Sequence, residues 1–321
     1  MPMLDMSVEE LKKYRGVNSR PEDFDDYWDR AVAEMRSVDP KIELVRAQFQ
    51  APFAECFHMY YTGVRGARIH AKLILPKEIN KPAPAVLMFH GYTDSSRWWN
   101  DKLQYAAAGF AVAAMDCRGQ GGLSEDVGGV KGTMMNGHII RGLDGEKDDL
   151  LMRHIFLDTA QLAGLMMDMP QIDESRVCAT GGSQGGGLTI ACAALEPRIN
   201  RIGLNYPFLS DYKRVWDMDL AIDAYAELRT YFRLFDPLHQ REEQCFTRLG
   251  YIDVHHLAAR IRARTLFGVS MSDTVCPPST QFAAYNNIGA EKEAMLFWDY
   301  GHEDLPGFSD RIYQFFLELL Q

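Results

Sequence analysis

The stretch that decides the fold of this chain is Arg176-Val-Cys-Ala-Thr-Gly-Gly-Ser183-Gln-Gly-Gly-Gly-Leu188. Its first half is a short apolar strand pattern, and its second half opens a helical pattern over Leu188–Leu195. The residues two before and two after the serine, Gly181 and Gly185, leave room for strand and helix to pass closely around a strained turn. The helix directs its first N–H groups and the positive end of its dipole at the serine oxygen. The pattern predicts a nucleophilic serine on this turn; a flexible glycine-rich turn is the alternative.

The composition restricts the classes of partner. The 321 residues are 47% hydrophobic, which suffices for a large core, and their formal net charge is −10. This charge argues against a nucleic acid and against an anionic membrane, because both select clustered Lys and Arg. The N-terminal segment lacks the pattern of a secretory signal, and the six cysteines include no Cys-x-x-Cys pair. We expect a reduced, cytoplasmic protein that acts on a small neutral or cationic molecule, with an exported form left open.

Strand and helix patterns alternate on both sides of the serine. The predicted strands cover residues 47–62, 67–75, 85–89, 110–115, the stretch before Ser183, 201–206, 265–270 and 294–298. The first two predict an antiparallel hairpin, and the later alternation predicts a mostly parallel central sheet with right-handed crossovers and helices on both faces. A Gly-rich segment over 121–146 is predicted to be a binding or interface loop without regular structure. A long helix over 149–167 is apolar nearly all round and is predicted to be buried.

A serine on a strand-to-helix turn within such a sheet is typical of the α/β-hydrolase fold. We therefore predict a single domain over 1–321. It carries a helical extension over 1–40, and a helical insertion over 209–256 follows the sixth predicted strand.

The fold predicts where the base and the acid lie. They follow the nucleophile in the order Ser, Asp or Glu, His, each after a later strand. The last two predicted strands are followed by Asp273 and by His302. We assign Ser183 as nucleophile, His302 as general base and then acid, and Asp273 as the residue that holds the imidazole tautomer. Asp299 is the alternative acid, although it lies only three residues before the histidine, and Glu303 is expected to anchor or tune the loop.

Two backbone N–H groups are needed to stabilise an oxyanion. Gln184, directly after the nucleophile, supplies one. The loop after the third predicted strand contains His90-Gly91-Tyr92, so Tyr92 is the candidate for the other, with a simple tight turn as the alternative. The nine histidines include no His-x-x-x-His pair with an adjacent Glu, and we expect neither a metal nor a cofactor. A serine at 183 also disfavours haloalkane dehalogenases, epoxide hydrolases and dienelactone hydrolases, which use a carboxylate or a cysteine.

Several motifs together resemble carbohydrate esterase family 7, the acetylxylan esterase and cephalosporin-C deacetylase group. They are Arg118-Gly119-Gln120, Gly181-Gly182-Ser183-Gln184-Gly185 and His302-Glu303, supported by 90–92, 137–142 and 153–160. The resemblance extends from about residue 20 to the C-terminus. It implies the triad Ser183, Asp273 and His302, with Tyr92 and Gln184 as oxyanion donors. Structural support of the site is assigned to Arg118, Gly119, Gln120, Gly181, Gly185 and Glu303. The implied activity is deacetylation of short acetylated xylo-oligosaccharides and of cephalosporin C inside the cell, by a hexameric ring with inward-facing sites.

Two other functions are weighed against this one. A catalytically inactive hydrolase-fold protein that only binds a ligand would have no need of Asp273 and His302 together. A serine peptidase of the prolyl-oligopeptidase type shares the serine turn and the order of the triad. Such peptidases usually carry a large propeller domain, for which 321 residues leave no room.

Overall fold

The computed structural model describes residues 4–77, 81–129, 131 and 135–321. The strands are β1 (Glu43–Arg46), β2 (Ala54–Thr62), β3 (Arg68–Pro76), β4 (Ala83–Phe89), β5 (Ala111–Met115), β6 (Ile172–Gly182), β7 (Arg201–Asn205), β8 (Arg264–Ser270) and β9 (Lys292–Phe297). The helices are α1 (Val8–Leu11), α2 (Phe24–Ser37), α3 (Leu103–Ala107), α4 (Leu151–Met167), α5 (Gln184–Leu195), α6 (Tyr212–Asp217), α7 (Ala226–Phe235), α8 (Glu242–Leu249), α9 (Val254–Leu257), α10 (Pro278–Asn287) and α11 (Phe308–Leu317). Among the described residues, no helix combines the length and the hydropathy needed to cross a membrane.

The strands of the described chain form one sheet in the order β1-β2-β3-β5-β4-β6-β7-β8-β9. The pairs β1–β2, β2–β3 and β3–β5 are antiparallel, and all pairs from β5 to β9 are parallel. The central strands β4 and β5 are apolar runs because both of their faces are covered. The prediction of a mostly parallel α/β-hydrolase sheet is confirmed.

Helices cover both faces of the sheet. On one face α3 meets α11, where the ring centroids of Tyr105 and Tyr313 lie 5.4 Å apart. On the other face α4 packs between α5 and α2, and the ring of Phe156 stacks on Trp28 of the N-terminal extension at 6.0 Å. Helix α4 is therefore buried on nearly every side, as its continuous apolar sequence predicts.

The first predicted strand, over residues 47–62, is shorter in the structure, where it corresponds to β2. Residues 47–53 form a turn, and β1 before it pairs back onto β2. Pro52 has no N–H for a strand ladder, and the Gln50 side chain donates to the carbonyls of Ala47 and Cys56 and accepts from the Cys56 N–H. The insertion contains α6 to α9 and follows β7, the seventh strand of the structure. It was predicted to follow the sixth strand, because the prediction did not include β1.

The loop predicted over 121–146 includes residues 130 and 132–134, which lie outside the described residues. Its described part contains turns and an isolated bridge between Glu125 and Lys131, without a helix or strand. Ile139 and Leu143 are nonetheless buried, so the end of this loop is packed into the molecule.

We expect the free energy of unfolding to decrease as the pH is lowered from neutral to mildly acidic values. Burial, together with the positive charges of Arg118 and Arg153, lowers the pKa of His154 on α4 from 6.5 to about 4. Between pH 6.5 and pH 4 the imidazole of His154 binds a proton in the unfolded chain but not in the folded chain. The stabilisation present above pH 6.5 is therefore lost as the pH falls toward 4. Between pH 7 and pH 5 this histidine contributes a loss of about 2 kcal/mol.

Urea unfolding at the two pH values measures this contribution. His154→Gln should reduce the acid-induced loss of unfolding free energy by about 2 kcal/mol. An equal loss in the wild type and in His154→Gln would contradict the assignment.

Candidate active site

Ser183 lies on a strained turn between β6 and α5. Its backbone has φ 55° and ψ −122°, a conformation that residues with side chains rarely adopt. A Cβ atom at Gly181 would lie 2.5 Å from the Gly185 backbone, and one at Gly185 would lie 2.2 Å from the Phe89 carbonyl oxygen. These two glycines therefore let the turn approach both the helix and the neighbouring strand β4.

The chain brings Ser183, His302 and Asp273 into hydrogen-bonding contact. The His302 Nε2 atom lies 2.9 Å from the Ser183 Oγ atom, and its Nδ1 atom lies 2.8 Å from Asp273 Oδ2. Asp273 is fully buried, and its Oδ1 atom accepts hydrogen bonds from the N–H groups of Val275 and Cys276, both at 2.8 Å. With Nδ1–H donating to the carboxylate, the Nε2 lone pair faces the serine hydroxyl.

The other two carboxylates near the histidine have different positions. Asp299 lies on an exposed turn after β9, and the described contacts include no hydrogen bond between it and His302. Glu303 accepts a hydrogen bond from the Gly301 N–H at 3.1 Å and so closes the turn on which His302 stands. The structure thus couples the histidine to Asp273 rather than to Asp299.

The two predicted oxyanion donors lie on either side of the serine. Gln184 is the first residue of α5, where an N–H group has no acceptor within the helix. Tyr92 stands in the loop after β4, and in the part of the chain that the structure describes neither backbone N–H donates to a protein acceptor. Both N–H groups are therefore free to bind a developing negative charge.

Side chains also hold this loop; Gln120 was predicted to support the site, whereas the roles of His90 and of the Gln184 side chain were not predicted. The Gln120 Oε1 atom accepts from the Thr93 N–H at 2.9 Å and from the Gln184 side-chain amide at 3.0 Å. The same Gln184 amide lies 3.3 Å from the Gly91 carbonyl oxygen. His90 accepts from the Cys117 N–H through Nε2 at 3.0 Å, so its Nδ1–H donates to the Gly91 carbonyl. These contacts cross-link the loop to α5 and to the end of β5.

Arg118 is completely buried beneath the site. Its guanidinium forms a two-point ion pair with Asp158 of α4, at 2.7 and 2.5 Å, and donates to the Val64 carbonyl at 3.0 Å. The carbonyl of Gly119 lies 3.2 Å from Nε2 of His138. The sequence analysis did not single out Asp158, although a lone carboxylate within the apolar run of α4 signals a buried partner.

A cavity of about 590 Å³ opens directly on Ser183 and His302. The ring centroid of Tyr206 lies 4.8 Å from that of His302, and burial raises the pKa of Tyr206 to about 12. The residues that line the cavity include six with charged side chains, namely Asp94, Arg97, Asp101, Lys102, Glu303 and Asp304. A larger cavity of about 870 Å³ lies between α2 and the end of α5 and is lined by none of the residues discussed above.

Two groups of described residues have the donor atoms and spacing of metal ligands. One comprises Asp273, Cys276 and His302, whose ring nitrogens already face the serine and the carboxylate. In the other, Asp211 and Asp253 accept hydrogen bonds from backbone N–H groups, and His255 lies 2.6 Å from Asp253. Both groups are thus engaged in contacts within the protein.

Comparison with known proteins identifies the family of the chain. The family model of acetyl xylan esterase (AXE1) matches residues 1–319. Acetyl esterase Axe7A of Xylanibacter ruminicola is 26% identical over 298 residues, which are 90% of this chain and 64% of that protein. The chain therefore spans just under two thirds of the length of this relative.

Solved structures include two similar esterases. Acetyl xylan esterase 1 from Thermoanaerobacterium sp. JW/SL YS485 is 61% identical with a TM-score of 0.96, over 99% of this chain and 100% of that chain. The acetyl xylan esterase from Paenibacillus sp. R4 is 33% identical with a TM-score of 0.90, over 97% and 99% of the two chains. Acylaminoacyl peptidase of Pyrococcus horikoshii, at 16% identity and a TM-score of 0.58 over 84% of this chain and 41% of its own, shares the fold alone. The chain therefore belongs to the acetyl xylan esterase (AXE1) family.

Proposed function

We propose that the protein is a serine esterase that removes acetyl groups from small acetylated carbohydrates through an acyl-enzyme intermediate. The observation that carries this proposal is the continuous hydrogen-bonded series from Ser183 through His302 to Asp273 at the base of a cavity. The spacing is that required of a nucleophile, its base and the group that orients the base. An inactive binding protein would have no use for this geometry.

The reaction follows from the contacts. His302 Nε2 takes the hydroxyl proton of Ser183 while Oγ attacks the ester carbonyl, and Asp273 stabilises the imidazolium that forms. The N–H groups of Gln184 and Tyr92 bind the tetrahedral oxyanion. The imidazolium then gives its proton to the departing sugar oxygen, and the C–O bond breaks to leave acetyl-Ser183. Water, deprotonated by the same imidazole, hydrolyses this ester to acetate and restores the serine.

Acetylated xylo-oligosaccharides and cephalosporin C are the proposed substrates. The resemblance to carbohydrate esterase family 7 supports both, and two similar solved structures are described as acetyl xylan esterases. The charged side chains that line the cavity supply hydrogen-bond partners for a hydroxyl-rich leaving group. The acyl group binds at the other side of the scissile bond, next to Tyr206 and His302.

A preference for acetyl over longer acyl groups is expected. The space beside Ser183 is bounded by Tyr206, which is buried, and by His302, and each misfit there costs about 1–3 kcal/mol. We expect kcat/KM for p-nitrophenyl acetate to exceed that for the butyrate by about ten- to hundredfold. Initial rates over the series from acetate to octanoate test this. A rate that rises with acyl length would contradict the proposal.

We further propose that the protein assembles into a hexameric ring with inward-facing sites and acts in the cytoplasm. The resemblance to the same family supports the ring, and Leu234, Phe235 and Leu238 at the end of α7 form an exposed apolar group suited to an interface. The six cysteines are buried free thiols, which supports a reducing compartment.

Sedimentation should give a mass well above 36.4 kDa. Turnover on acetylated oligosaccharides should exceed that on polymeric acetylxylan; a monomer equally active on both would contradict the ring.

A further inference from the structure

A buried carboxylate of the insertion lies against the loop that carries Tyr92. Glu227, in the first turn of α7, is 3% exposed and accepts a hydrogen bond from the Tyr92 hydroxyl. Its other oxygen accepts from the N–H groups of Ile139 and Ile140, at 2.7 and 3.1 Å. One carboxylate thus joins three segments that are far apart along the chain.

The residue next to Tyr92 is held in a strained conformation. Thr93 has φ 59°, which is costly for a β-branched residue and persists only where the surroundings enforce it. On the inner side of the loop, Gln120 accepts from the Thr93 N–H. On the outer side the loop is held through the Tyr92 side chain, whose hydroxyl binds Glu227.

The support for Glu227 is itself rigid. The hydroxyl of Tyr225, directly before α7, accepts from the Leu209 N–H at 3.0 Å, which fixes the start of the helix to the chain beyond β7. The Tyr225 ring packs on Phe208 at 4.4 Å, and Phe208 packs on the Tyr92 ring at 5.3 Å. His138 completes the surroundings, with Nδ1 at 3.0 Å from the Tyr92 hydroxyl.

We propose that Glu227 is a positioning residue of the esterase reaction, which fixes the Tyr92 N–H of the oxyanion hole by binding the Tyr92 hydroxyl. The inference rests on the proposed function, since the Tyr92 N–H matters only where Ser183 attacks an ester. An oxyanion donor is effective when it lies 2.7–3.1 Å from the position of the developing charge, and an error of about 1 Å costs about a hundredfold. The insertion therefore contributes to catalysis without touching the substrate.

Three variants test the contact. Tyr92→Phe removes the hydroxyl and keeps the ring and the backbone N–H, while Glu227→Ala removes the carboxylate. Glu227→Gln is the conservative variant, because its amide oxygen still accepts from the Ile139 and Ile140 N–H groups while its NH₂ donates to the Tyr92 oxygen.

The same helix offers matched controls. One turn further along α7, the Tyr231 hydroxyl donates to Asp144 Oδ1 at 2.7 Å, a similar pair that lies outside the oxyanion loop. Tyr231→Phe and Asp144→Asn are matched controls because they remove a tyrosine–carboxylate hydrogen bond of the same kind. They should keep kcat within about threefold of the wild type, because this hydrogen bond lies outside the oxyanion loop.

The measurements are made on enzyme whose active sites are counted with a phosphonate that labels Ser183. Tyr92→Phe and Glu227→Ala should each lower kcat for p-nitrophenyl acetate by about 10- to 100-fold with little change in KM, since the interaction acts in the transition state. A trifluoromethyl ketone, whose tetrahedral adduct occupies the oxyanion hole, should bind more weakly by the same factor. The double variant Tyr92→Phe/Glu227→Ala should be no slower than the slower of its two single variants. Glu227→Gln should regain most of the kcat that Glu227→Ala loses.

Other results would overturn the inference. If kcat per labelled site is unchanged in Tyr92→Phe and Glu227→Ala while only the thermal midpoint falls, the contact is structural. Additive losses in the double variant would show that Glu227 acts independently of Tyr92. If Glu227→Ala does not fold, the other two variants and the ketone decide. Failure of the proposed function has a separate signature, because the phosphonate would then label another residue or Ser183→Ala would remain active.

Discussion

Replacement of Ser183 by alanine is expected to lower ester hydrolysis by about 10⁴-fold or more while leaving the fold intact. The hydroxyl is the proposed nucleophile, and its one described side-chain partner is His302 Nε2 at 2.9 Å, so its removal costs little packing. Loss of one member of a triad abolishes nearly all of the catalysis that the three provide together. Initial rates on p-nitrophenyl acetate, corrected for spontaneous hydrolysis, measure the loss, and circular dichroism and thermal unfolding check the fold.

A second serine of the same cavity is the control for this variant. Ser95 lines the cavity without a histidine partner among the described contacts, and its hydroxyl accepts from the Arg97 N–H at 3.2 Å. Ser95→Ala should keep at least a tenth of the activity. If Ser183→Ala retains more than about a hundredth of the wild-type kcat, another residue is the nucleophile.

Asp273→Asn is expected to lower kcat by about 10⁴-fold with little loss of stability. The Oδ1 atom accepts two backbone N–H groups, from Val275 and Cys276, so the amide oxygen of asparagine must take that place. The NH₂ group then points at His302 Nδ1, which must accept rather than donate. In that tautomer Nε2 carries the proton and cannot accept one from Ser183.

Asp299→Asn is the matched control, since it makes the same chemical change in the other aspartate that the sequence offers. It should keep kcat within about threefold, because Asp299 lies on an exposed turn. Equal losses in both variants, or a large loss only in Asp299→Asn, would contradict the assignment of Asp273. The kinetic comparison requires no change of substrate or assay.

Local patterns in the sequence were sufficient for most of the sheet. Strands such as β4 and β5 are continuous apolar runs because helices cover both of their faces, and such runs can be recognised without a structure. Glycines two positions before and after Ser183 predict a close approach of strand and helix. In the structure a Cβ atom at Gly181 or at Gly185 would lie too close to neighbouring backbone atoms. The order of Asp273 and His302 after the last two strands follows from the connectivity of the fold.

Local patterns were not sufficient where a side chain competes with the backbone. The first strand was predicted over residues 47–62 as one long element of a hairpin. The turn at Pro52 and the three hydrogen bonds of the Gln50 side chain shift its start to Ala54, and β1 lies before the predicted range. A glutamine side chain can take the backbone hydrogen bonds that a neighbouring strand would otherwise make. Whether it does so depends on the local conformation, which cannot be predicted from the residue types alone.

The sequence by itself determined the strand-to-helix turn, the sheet and the order of the candidate triad, because periodicity and short motifs record burial and steric limits within a few residues. Only the tertiary structure decided which distant groups meet. Asp158 binds Arg118 across 40 positions, and Glu227 binds Tyr92 across 135. Such pairs are set by the packing of α4 and of the insertion against the sheet, since a buried carboxylate is stable only where packing brings donors to it.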